Sequence, residues 1–130
     1  MGTRSNTVVI NDGVKILNLY RQFDGYPSGH GAELAAFLAP LTMVNGYTPD
    51  SVNEFNGMGC LAAQLVANFK KGVGGFYIDN PNGDCDNDYT YTIRGNTQEP
   101  DKGLTITVVD YNGTKIFSGS IVSFINFCKE

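Results

Sequence analysis

SNTVVINDGVKILNLYRQF, Ser5 to Phe23, is the stretch on which the fold turns. Two runs rich in apolar and β-branched residues, Ser5 to Ile10 and Val14 to Phe23, meet at Asn11-Asp12-Gly13. Asp-Gly supplies the positive φ angles of a two-residue hairpin turn, so the stretch reads as two antiparallel strands. In the second run Leu17, Leu19 and Phe23 share one face with Lys15 and Arg21. Ile16, Tyr20 and Gln22 share the other with Asn18. Neither face is purely polar, which predicts a strand covered on both sides.

Downstream, the pattern changes from a period of two to a period of 3.6. Leu34, Phe37, Leu38 and Leu41 recur at helical spacing behind Ser28, a candidate N-cap, and Pro40 limits that helix. After Asn45-Gly46 and Pro49 a second helix opens between Asp50 and Met58. Its stripe is Met58, Leu61, Leu65 and Phe69. Lys70 and Lys71 suit its C-terminal dipole, and Gly72 suits its C-cap.

The second half reads as strands: 75–79, 89–94, then 104–111 turned by Asn112-Gly113 into 115–118. The polar stretch between the first two is expected to close a wide hairpin. Ile121, Phe124, Ile125 and Cys128 behind Ser120 predict a short terminal helix. The expected architecture is a single α+β domain spanning 1–130. An antiparallel sheet carries the two central helices on one face, in the order β-β-α-α-β-β-β-β with the short C-terminal helix.

Composition narrows the function classes. Nine Lys plus Arg against thirteen Asp plus Glu give a net charge of −4. Those cations are scattered, and a nucleic-acid binder needs a basic face, so long DNA or RNA is not an expected partner. No apolar run reaches the length of a membrane span, and the first residues lack the apolar core of a secretory signal. Cys60, Cys85 and Cys128 are odd in number and far apart, which argues against both a disulfide framework and a thiolate zinc site. The expected setting is reducing cytoplasm. Cys60 and Cys128 are expected to pack and Cys85 to be exposed.

The candidate site is YRQFDGYPSGHG, Tyr20 to Gly31. Ser28, Gly29 and Gly31 at a helix start would leave backbone N–H groups open to an anion. Gly25 and Pro27 allow a sharp approach, Tyr20, Phe23 and Tyr26 offer flat faces for a base, and Arg21 could clamp a phosphate or carboxylate. Arg4 falls opposite Arg21 to Asp24 across the hairpin, so it either joins that clamp or pairs with Asp24. The bland alternative is a well-made strand-to-helix turn. His30 is the sole histidine, so catalysis through imidazole would run through it, with Asp24 as partner. A helix dipole there favours the neutral ring.

The stretch Asp79 to Asp88 is acidic. Aligned on Gly83, an EF-hand would need acids where Ile78 and Tyr89 stand, so that loop is expected to be solvated, a weak cation holder or a lid. No metal and no cofactor is called for.

Thr3-Arg4-Ser5, the hairpin, and the run Tyr20 to Gly31 together resemble a widespread set of small uncharacterised phage and bacterial proteins. These share an N-terminal T-R-S and a D-G-Y-P stretch before a glycine-containing helix start. Arg4, Asp24, Gly25, Tyr26 and Pro27 match that pattern. Members often carry a histidine just before Asp-Gly, where Gln22-Phe23 stand here. The resemblance implies a phage or prophage origin and a small accessory protein in the host cytoplasm.

The expected function is non-catalytic binding of a small anionic ligand, a nucleotide or cyclic nucleotide, as a counter-defence sponge that sequesters a host immune signal. Two alternatives stay open: a metal-independent phosphodiesterase or lyase using His30, and a protein inhibitor of a host defence protein. A homodimer or higher homo-oligomer is compatible with the sequence and not demanded by it.

Overall fold

The structure is a computed structural model, and it describes residues 2–46 and 53–129. Pro49 and Asp50, expected in the approach to the second helix, lie outside the described residues. The α+β class holds. Six strands form one sheet in the order β5-β2-β1-β6-β7-β8. These are β1 (Ser5–Asn11), β2 (Val14–Arg21), β5 (Phe76–Asp79), β6 (Tyr89–Gly95), β7 (Thr105–Asp110) and β8 (Lys115–Gly119). Two short strands that the sequence did not announce, β3 (Thr42–Val44) and β4 (Glu54–Asn56), pair in parallel beside it. The helices are α1 (Ala32–Leu38), α2 (Gly57–Phe69) and α3 (Ile121–Cys128).

The hairpin forms as read. Asp12 and Gly13 have φ of 49° and 80°, both positive as a type I′ turn requires. Its register places Ser5, Thr7 and Val9 beside Arg21, Leu19 and Leu17. The same face continues through Tyr91 and Ile93 of β6 and Ile106 and Val108 of β7. Leu34 and Leu38 of α1, Met58, Leu61 and Leu65 of α2, and Phe124 and Cys128 of α3 close over it in one buried core. All three helices therefore cover one face. Ser120 caps α3 by accepting the Ser123 N–H at 3.3 Å, so the terminal helix stands as expected.

Two expectations are corrected. The sheet is mixed, because β1 and β6 run parallel while the other four pairings within it are antiparallel. The stretch 80–88 does not close a hairpin either. β5 pairs with β2 at one edge of the sheet, and β6 enters between β1 and β7. The connection must therefore cross β2 and β1 on the face opposite the helices.

That crossing explains the buried asparagines there. Asn6 Nδ2 donates to Asn18 Oδ1 at 2.8 Å, and Asn87 Nδ2 donates to Asn6 Oδ1 at 2.6 Å. Asn18 Nδ2 in turn donates to the Asn80 carbonyl at 3.1 Å. Val8 and Ile10 are buried on this side as well. β2 is thus covered on both sides, as its mixed faces predicted. The stretch is a cover rather than a free loop, and Cys85 is half-buried in it instead of exposed.

Candidate functional site

The turn from β2 into α1 is built from close backbone approaches. A Cβ on Gly25 would lie 2.8 Å from Ser5 Cβ and 2.9 Å from the Arg4 carbonyl carbon. The missing side chain lets the turn lie on the start of β1. The Gly25 N–H donates to the Thr3 carbonyl at 2.8 Å, and Tyr91 Oη donates to the Gly25 carbonyl at 2.7 Å. Asp24 sits at φ 57° in the left-handed region.

From Pro27 to Gly31 the chain makes a π-helical turn before α1. Pro27, with its φ preset, begins that turn, and no side chain caps it. Ser28 is therefore not an N-cap: the donors it would have served already have backbone partners. The Gly29 N–H donates to the Tyr26 carbonyl at 2.9 Å, His30 N–H to the Asp24 carbonyl at 2.7 Å, and Gly31 N–H to the Tyr26 carbonyl at 3.4 Å. With the Gly25 N–H also spent, these four amides are not open to an anion.

The stacking candidates are separated as well. Tyr20 lies on the face opposite the helices, since it pairs with Asn6. There it packs near Tyr77 and donates to Gln22 Oε1 at 2.7 Å. Tyr26 is partly exposed and donates to Asp24 Oδ1 at 3.3 Å. Arg4 engages through its backbone: its N–H donates to Asp88 Oδ2 at 2.9 Å, and its carbonyl accepts from Tyr89 N–H. No Arg4–Asp24 ion pair occurs among the described residues.

Arg21 is the centre of the local chemistry. It is 4% exposed, and a buried guanidinium requires nearly every donor satisfied. Nε donates to the Phe23 carbonyl at 2.7 Å. Nη1 donates to Glu33 Oε1 at 3.0 Å and to His30 Nδ1 at 3.1 Å, and Nη2 to Glu33 Oε2 at 3.3 Å. The rings of Phe23 and Phe76 flank the guanidinium at 5.1 and 5.0 Å. Four of its five N–H groups thus have partners.

The arrangement fixes the state of His30. A guanidinium only donates, so Nδ1 must accept, and the ring proton sits on Nε2, which donates to Thr7 Oγ1 at 2.7 Å. Burial first, and the Arg21 charge second, lower the His30 pKa to about 3. The ring is 0% exposed and packs against Phe69 and Tyr91. It is a neutral structural bridge with both nitrogens occupied. The Asp24 carboxylate is not among its partners.

Beside Arg21 the surface opens into a hollow of about 510 Å³. Phe37, Phe69 and Phe76 supply its aromatic walls, and Glu33, Asn68 and Lys71 its polar groups. The residues come from β2, α1, the end of α2 and the connection after it, and β5. Lys71 has no ion pair among the described residues. Glu33 holds Arg21 with a carboxylate that is still 53% exposed. Of the sequence-chosen residues only Arg21 lines this hollow. Phe69 carried a helical stripe and Lys71 a dipole, while Glu33, Phe37, Asn68 and Phe76 carried no site signal, because the spot is assembled from four separate elements.

Among the described residues no three His, Cys, Asp or Glu side chains come together as a metal set, the acidic stretch included. Burial pushes the Cys128 thiol up to about 11, which leaves it protonated as a packing group. No helix among the described residues is long and apolar enough to cross a membrane. No family model, no curated protein and no solved structure matches the chain.

Proposed function

We propose that the chain is a non-catalytic binder of a small anionic ligand with a flat ring, a nucleotide or cyclic nucleotide, held in the hollow beside Arg21. The observation that carries this reading is the hollow's composition. Phe37, Phe69 and Phe76 line it, Lys71 offers positive charge beside the Glu33-paired Arg21, and Glu33 and Asn68 can accept from base or sugar donors. Its volume falls within the ordinary range for small-molecule sites. Binding rather than turnover is supported by His30, the lone histidine, whose ring has no exposed surface and no unoccupied nitrogen. The resemblance to small phage proteins extends the reading to a sponge for a host signal.

Native mass spectrometry and thermal shift against AMP, GMP, their cyclic forms and ADP-ribose test it. At least one is expected to bind and to be recovered intact. Lys71→Ala should weaken that binding roughly tenfold, the loss of one charge-assisted hydrogen bond. No bound mass and no shift with any of these ligands would refute the reading.

A further inference from the structure

A second hollow, of about 340 Å³, adjoins the first and shares Phe69, Lys71 and Phe76 with it. Its remaining walls are Phe23 and the glycine-rich connection from α2 to β5, residues 72–75. That connection has a conformation only glycine adopts freely, with φ of 141°, 79° and 77° at Gly72, Gly74 and Gly75. It is pinned at its far end. Lys70 Nζ donates to the carbonyls of Gly74 and Phe76 at 2.9 and 2.7 Å, and Gln22 N–H donates to Gly75 at 2.8 Å.

Val73 stands wholly in solvent at the lip. An apolar side chain in that position gains nothing in the free protein and gains contact area once something lies against it. The two hollows share one cation, Lys71, and two rings, Phe69 and Phe76. Each has phenylalanine walls, Phe37 in the first and Phe23 in the second, and Lys71 lines both.

We infer that the ligand is a dinucleotide: two bases joined through an anionic phosphate linkage, one base in each hollow and the linkage at Lys71. This rests on the reading of the first hollow as a nucleotide site. A single nucleotide fills one hollow and leaves the Phe23 side empty. A two-base ligand uses both, and the second base binds at the high effective concentration that a short covalent link provides.

Isothermal titration calorimetry of the intact protein with AMP, with adenylyl-(3′,5′)-adenosine and with cyclic di-AMP tests this. The wild type is expected to bind one or both two-base ligands at least roughly tenfold more tightly than AMP; the linear and cyclic arms tell which linkage fits. Val73→Gly, at an exposed position, should narrow that preference. Ala36→Tyr, which fills the first hollow from an exposed helix position, should abolish AMP binding. AMP binding with no gain for either two-base ligand would overturn this inference and leave the mononucleotide reading standing. A two-base preference that survives Val73→Gly and Phe23→Ala alike would also overturn it. No binding of any of the three would overturn this inference, and would overturn both readings if GMP, the cyclic mononucleotides and ADP-ribose fail as well.

Discussion

His30 makes the stability of this protein depend on pH in a window where few other groups titrate. In the unfolded chain its pKa is 6.5, and in the fold it is about 3. Between those values the unfolded chain holds a proton that the folded chain refuses, so stability falls as pH falls through the window. The slope approaches ~1.4 kcal/mol per pH unit below 6.5. From pH 7 to pH 5 the integrated loss is about 2 kcal/mol. The chain has one histidine, and unfolded carboxylates titrate lower, so this loss is assignable to it. Urea denaturation at pH 7 and pH 5 measures it. In His30→Gln, which retains one donor and one acceptor, the loss over the same interval should nearly vanish whatever the variant's own stability. Nuclear magnetic resonance of the wild-type ring gives a second reading that needs no variant. A native-state titration between pH 6 and 7, or equal losses in both proteins, would refute the account of Arg21, His30 and Thr7 given above.

Two further outcomes follow from single contacts. Tyr91→Phe removes the side-chain hydrogen bond to the buried Gly25 carbonyl and should cost ~1–3 kcal/mol by urea denaturation; a cost below about 0.5 kcal/mol would mean the turn does not depend on it. Asn18→Ala unlinks the cover over the outer face of β1 and β2. Amide exchange should then accelerate selectively across residues 80–88, and unchanged protection there would show that the asparagine network does not hold it.

Local signals are legible in the sequence. Asp12-Gly13, the stripe from Met58 to Phe69 and the cap at Ser120 each depend on neighbours a few residues away, and each formed. What stayed hidden depends on distant partners. Nothing in the alternating Tyr-Thr-Tyr-Thr-Ile of β6 says that it will lie parallel to β1. Sequential strands commonly pair, which favours a place beside 75–79. The candidate site divided along the same line. Arg21 was recognised as a charge, but its burial between Phe23 and Phe76 and its fork onto Glu33 come from β5 and α1. In the sequence the glycines of the turn point to open amides, whereas in the fold their missing side chains admit neighbouring chain, which then takes those amides. Asn6 and Asn18 did carry a usable signal: polar residues inside strands with no clean polar face point to a second covering layer.

The parallel contact of β1 with β6 has a consequence for how the molecule is made. Of the sheet's strands β1 is synthesised before the others, and it ends near the middle of the sheet. Its hairpin partner follows at once, but its other edge stays unpaired until Tyr89–Gly95 has been synthesised. Through that interval the hairpin offers an open edge of Val8, Val9 and Ile10, the kind of surface on which strands from other chains add. Closure waits on a contact between remote parts of the chain, which places folding among the slower, non-local cases. Expression at high rates is therefore where this protein should lose material to aggregation, and slower synthesis or lower temperature should recover it.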